Sequence, residues 1–254
     1  MSKPFLRVAA IAFFGIYALY ALVLAPAYEI IASNITLMGT LWFDLVDLLL
    51  QWTEILGGAV MMAFILVGIH RTGSAKMAKP LLYLAGGALL FKYVSTIIAI
   101  SVVYGSFDAT MDFGSYTLSL LLEAAPCALL AFLTHRLVAA DRIRRRELAN
   151  AAFALGQEQA APTPLLPFSK LFAKDAPLQR VLYICIGVLC GLRALSFILS
   201  EIAFSLIGYG FTAADIPVIL LYFFLLVLLP CFLAYLLAYL VIRRLSAKNE
   251  VAAA

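Results

Sequence analysis

Residues 79–146 read KPLLYLAGGALLFKYVSTIIAISVVYGSFDATMDFGSYTLSLLLEAAPCALLAFLTHRLVAADRIRRR. The stretch opens on Lys79-Pro80 and continues as an apolar run to Tyr104, interrupted strongly only at Lys92. The turn at 105–116 carries Asp108 and Asp112 and no Lys or Arg. A second apolar run, Thr117 to Leu133, contains Glu123 and Pro126 and returns to a basic exit beginning at Arg136. About 20 apolar residues suffice to cross a bilayer as a helix. Lipid offers no partners for backbone N–H and C=O groups, so both runs must be helical. The unit is a membrane hairpin: basic entry, span, acidic turn, span, basic exit.

Working outward, the same unit recurs on both sides. Lys3-Pro4-Phe5-Leu6 echoes Lys79-Pro80-Leu81-Leu82, and Ala176-Pro177-Leu178 is a weaker third copy. Lys92-x-x-Ser95 matches Arg193-x-x-Ser196, and Pro126-Cys127 matches Pro230-Cys231. The sequence therefore predicts an all-α integral membrane protein of six transmembrane helices. They form three parallel helical-hairpin repeats, 1–72, 78–146 and 177–245, since an even number of helices per unit makes the copies parallel. A cytoplasmic linker, 141–178, separates the last two and contains a short amphipathic stretch, Phe168 to Lys174, suited to the membrane interface. The first apolar run, Val8 to Leu24, precedes Ala25-Pro26-Ala27 and resembles a secretory signal. It is longer than an ordinary signal core, and we read it as a retained helix.

Composition agrees with this class: 254 residues, 65% of them hydrophobic and 13% charged. The whole chain reads as one membrane domain, with the lipid bilayer as its first partner. The net charge of +4 is an orientation signal and points to no nucleic acid. Of the 18 Lys and Arg residues, all but Lys92 and Arg193 lie before helix one, after helix six, or in and beside the 70–80 and 134–180 connections. Cationic loops stay on the cytoplasmic side. Both termini are therefore expected in the cytoplasm, with the protein in the plasma or inner membrane.

Motifs for chemistry are scarce. HExxH, GxSxG, GxGxxG and a P-loop are all missing from the sequence, so no enzyme activity and no cofactor is expected. Cys127, Cys185, Cys190 and Cys231 fall in apolar helices without a CxxC. They read as small apolar residues, with a Cys127–Cys231 disulfide open if those helices touch. His70 and His135 sit at matching helix ends. A metal or haem could bridge them, but helix-end cations that favour the helix dipole and the lipid headgroups explain the pair without a ligand, and no metal is expected.

The informative residues are charges inside the spans: Glu54, Lys92, Glu123, Arg193 and Glu201. Helix two adds a polar stripe of Asp44, Asp47, Gln51 and Glu54, which fall within a narrow arc at 100° per residue. Lys92 and Glu123 both lie about 18 Å from the basic edge and Arg193 about 20 Å, at ~1.5 Å per residue. A charge near the bilayer centre costs at least about 2.5–3.5 kcal/mol and must be paired, hydrated or used. Glu54, Lys92, Glu123 and Arg193, with Gln51 and Glu201, are therefore the candidate transport or ion-pair site. The sequence points to a small-molecule or ion transporter. The alternative is a non-catalytic subunit, sensor or anchor that docks a cytoplasmic protein through the basic 134–180 segment. Register-fixing ion pairs would explain the same charges without transport.

Overall fold

The computed structural model describes residues 2–34, 40–72, 78–104, 117, 120–134, 136, 177–204 and 216–251. Every described element is helical. In chain order they are α1 (Ser2–Leu19), a wide π-turn (Tyr20–Leu24), α2 (Ala25–Ala32), α3 (Leu41–Thr72) and α4 (Ala78–Tyr104). There follow α5 (Leu120–Thr134), α6 (Pro177–Phe204), α7 (Ile216–Phe223), a second π-turn (Phe224–Leu228) and α8 (Leu229–Val251). Asp108, Asp112 and most of the linker, including 168–174, lie outside the described residues, as do the side chains of His70, His135 and Glu201.

Five helical stretches are long and apolar enough to span a membrane: Pro4–Ala32, Leu41–Gly68, Lys79–Tyr104, Arg180–Leu199 and Ile216–Arg244. At ~1.5 Å per residue the shortest, of 20 residues, covers about 30 Å. The sixth apolar helix, α5, is described only over Leu120–Thr134, fewer residues than a full crossing needs.

The sequence reading centres on the 79–146 hairpin; the packing centres on α3. This helix contacts α1, α2, α4, α6 and α8. Of its most apolar stretch 56% is buried, against 22–39% in the other four spans. Small residues make that crowding feasible, because without bulky side chains helix backbones approach closely in lipid. A Cβ on Gly58 would come within 3.0 Å of Leu189 on α6, and one on Gly57 within 3.2 Å of the Tyr17 hydroxyl on α1. Around these glycines Met61, Met62, Ile65 and Leu66 meet Phe13, Leu81, Leu130 and Leu182 in a single apolar core. Phe13 packs edge-on against Phe64 with ring centres 5.6 Å apart. Large apolar side chains such as Ile11, Leu90, Ile98 and Phe232 point outward, as a lipid-facing surface requires.

Both π-turns stand two residues ahead of a proline. Ala25 N–H bonds Tyr20 O and Leu229 N–H bonds Phe224 O, each five residues back, and Pro26 and Pro230 follow directly. A proline ring crowds the preceding turn of an α-helix and removes a donor; the wider turn makes room for it. The sequence pairs Pro126 with Pro230. In the structure the wide turn accompanies Pro26 and Pro230, while α5 runs through Pro126 as plain α-helix.

Candidate functional site

Four ionisable side chains from four helices meet inside the bundle. Lys92 comes from α4, Glu54 from α3, Glu123 from α5 and Arg193 from α6. Glu54 and Lys92 are each 5% exposed, Arg193 7% and Glu123 0%. Lys92 Nζ donates to Glu54 Oε1 at 2.8 Å and to Glu123 Oε1 at 2.5 Å. Arg193 Nη1 stands 2.5 Å from Glu54 Oε2, and Nη2 donates to Glu123 Oε1 at 2.9 Å. Each cation thus bridges both carboxylates, and the quartet is formally neutral. Helix register brings this about: Lys92 on α4 and Glu123 on α5 come level with each other, and the length of the Lys and Arg side chains closes the remaining gaps.

Two tyrosines complete the site. Tyr20, the first residue of the π-turn, donates its hydroxyl to Glu54 Oε1 at 2.8 Å. Its ring centre lies 4.0 Å from Lys92 Nζ, a cation–π distance. Tyr17, one turn earlier, has its ring centre 5.6 Å from the same ammonium. Both tyrosines are buried. The sequence reading missed them, although the signal was present: two hydroxyl-bearing rings at i and i+3 in an otherwise apolar helix, where a buried Tyr hydroxyl seeks a partner.

Of the remaining candidates, Gln51 stands apart from the quartet, and the side chain of Glu201 lies outside the described residues. Gln51 is half-buried and hydrogen-bonds Asp47 one turn back on α3. Glu201 lies eight residues beyond Arg193 on α6. Asp44 belongs to a different kind of contact, accepting from Tyr222 Oη on α7 at 2.8 Å. At the same end of the bundle Glu29 accepts from Tyr104 Oη at 2.7 Å. These bonds tie helix ends together. Cys127, Cys185, Cys190 and Cys231 are all free thiols, and that of Cys231 lies beside that of Cys190 on α6.

The hydrogen bonding at Glu123 is lopsided. Oε1 accepts from both cations, whereas Oε2, fully buried, has no hydrogen-bond partner among the described residues. Among the described residues the Tyr17 hydroxyl, beside this carboxylate, forms no bond of good geometry, and Thr96 Oγ1, one turn beyond Lys92 on α4, is likewise without a partner. A buried polar atom left unpaired costs about 1–3 kcal/mol.

By its apolar spans and its charged interior, the chain is a multi-pass helical membrane protein. No family model, no curated protein and no solved structure matches it.

Proposed function

We propose that the chain is a membrane carrier for a small polar solute or ion, with the Glu54–Lys92–Glu123–Arg193 quartet as its binding site in an occluded state. The observation that carries this reading is the quartet itself. Buried ion pairs are often no more stabilising than well-packed apolar residues of the same volume, because desolvation offsets the attraction. Four such groups from four helices, with an open carboxylate oxygen among them, are better suited to exchanging partners than to holding helices together.

In this reading α5 completes a sixth span. The three hairpins are parallel repeats, and the cationic loops place both termini in the cytoplasm of a cell bounded by this membrane. Lys92 and Arg193, equivalent in the last two repeats, play equivalent parts, since each bonds both carboxylates. The rival docking role rests on the 134–180 segment, of which only Thr134, Arg136 and residues 177–180 are described.

Accessibility tests the carrier. Thr96→Cys, in a chain whose four cysteines are replaced by alanine or serine, places a thiol one turn from Lys92. A small methanethiosulfonate reagent should reach it from each side of the membrane in turn. Protection from both sides under all conditions would mean a sealed ion-pair core and no carrier.

A further inference from the structure

In the quartet the two cations and two carboxylates cancel, so the site as it stands has no charge to offer a charged solute. Among the described residues, the buried atoms at this site without a hydrogen-bond partner include Glu123 Oε2, Tyr17 Oη and Thr96 Oγ1. An ionised carboxylate only accepts hydrogen bonds, whereas a protonated one also donates one. A proton on Glu123 Oε2 would give that oxygen a hydrogen to donate to the neighbouring Tyr17 hydroxyl. It would also leave Lys92 and Arg193 facing Glu54 alone, with one net positive charge. Both cations bond the same oxygen of Glu123, so the point between them already holds a carboxylate oxygen, and an incoming carboxylate would take the place of Glu123 Oε1 there.

We propose that the site takes a small organic monocarboxylate together with one proton, the proton on Glu123 Oε2 and the substrate carboxylate between Lys92 and Arg193. The inference rests on the carrier reading and names its substrate class and coupling ion. The proton comes from bulk water and leaves with the substrate, so each cycle moves no net charge. Among the described residues, the groups facing Glu123 are Tyr17 on α1, Tyr20 on the π-turn, Glu54 on α3, Lys92 on α4, Arg193 on α6 and Cys127 on its own helix. No other carboxylate among them is as free to take the proton. Glu54 has both oxygens engaged, Oε1 by Lys92 and Tyr20 and Oε2 by Arg193.

The test uses the purified full chain, weakly buffered, titrated with sodium acetate, lactate or pyruvate. Binding is followed by calorimetry and proton uptake by an indicator dye. About one proton should be taken up per anion bound, and the apparent Kd should rise about tenfold per pH unit once Glu123 is ionised in the free protein. Glu123→Gln, a neutral side chain with a donor, should bind the anion with no proton taken up and no such pH dependence. Tyr17→Phe removes the acceptor that holds the proton and should move the pH dependence to lower pH. That variant decides the matter if Glu123→Gln does not fold. Several results would overturn the proposal: no binding of any of the three anions, binding without proton uptake in the wild type, equal binding of chloride, an unchanged pH profile in Tyr17→Phe, or preference for choline or glycine. If such a result accompanies an accessible Thr96→Cys, the carrier survives and only this substrate class is lost. A sealed Thr96→Cys removes both.

Discussion

Trp52 on α3 donates its indole N–H to the carbonyl oxygen of Leu225 at 2.8 Å, across to the second π-turn. In that turn Leu229 N–H bonds the residue five back, and the next residue, Pro230, has no N–H to continue the register. Leu225 O is the acceptor that Pro230 cannot serve, and Trp52 serves it from a neighbouring helix. In hydrocarbon an unserved carbonyl costs far more than in water.

Trp52→Phe keeps a large ring and deletes the donor. It should destabilise the protein by about 1–3 kcal/mol, the cost of a buried acceptor left without a partner. Thermal unfolding in detergent reads this. Adding Pro230→Ala supplies a backbone N–H to the same turn and should recover most of the loss. A Trp52→Phe protein with unchanged Tm would mean that the bond contributes nothing.

The quartet makes a second prediction. Removing one charge, as in Lys92→Met, leaves the others without compensation and should cost about 3–5 kcal/mol. Reversing the pair, with Lys92→Glu and Glu123→Lys together, keeps the sum of charges. The double variant should fold and reach the membrane nearly as well as wild type, yet be inactive as a carrier, because the swapped groups present a different face to a solute. Yield and monodispersity on size exclusion measure the first part. A swap no better than the single variants would show that geometry outweighs charge balance.

The thiols give a third. The free thiols of Cys190 on α6 and Cys231 on α8 lie beside each other. Copper–phenanthroline should join this pair, visible by mass spectrometry of the linked peptides. A Cys127–Cys231 link in its place would contradict the helix arrangement.

Orientation is tested independently of the fold. In a chain without its native cysteines, Thr110→Cys should react with an impermeant thiol reagent on intact cells and Asn150→Cys should not. The reverse pattern would invert the topology and place both termini outside.

The helical membrane class was legible without coordinates, because apolar runs of span length have no other way to satisfy their backbones in lipid. Lys92, Glu123, Arg193 and Glu54 could likewise be picked out singly, since an intramembrane charge is conspicuous in an apolar run and depth follows from a fixed rise per residue. Counting along the chain gives depth but not azimuth or partner. The tertiary structure alone placed α3 at the centre, because which helix is surrounded depends on where Gly57 and Gly58 let Tyr17 and Leu189 approach. It alone set both cations on one oxygen of Glu123, brought Tyr17 and Tyr20 beside them, and turned Gln51 toward Asp47. It also separated the paired prolines: a wide turn precedes Pro230, as it does Pro26, while α5 runs through Pro126 as plain α-helix. A proline's effect depends on what its neighbours offer the freed carbonyl, and at Leu225 that neighbour is Trp52, far away in sequence.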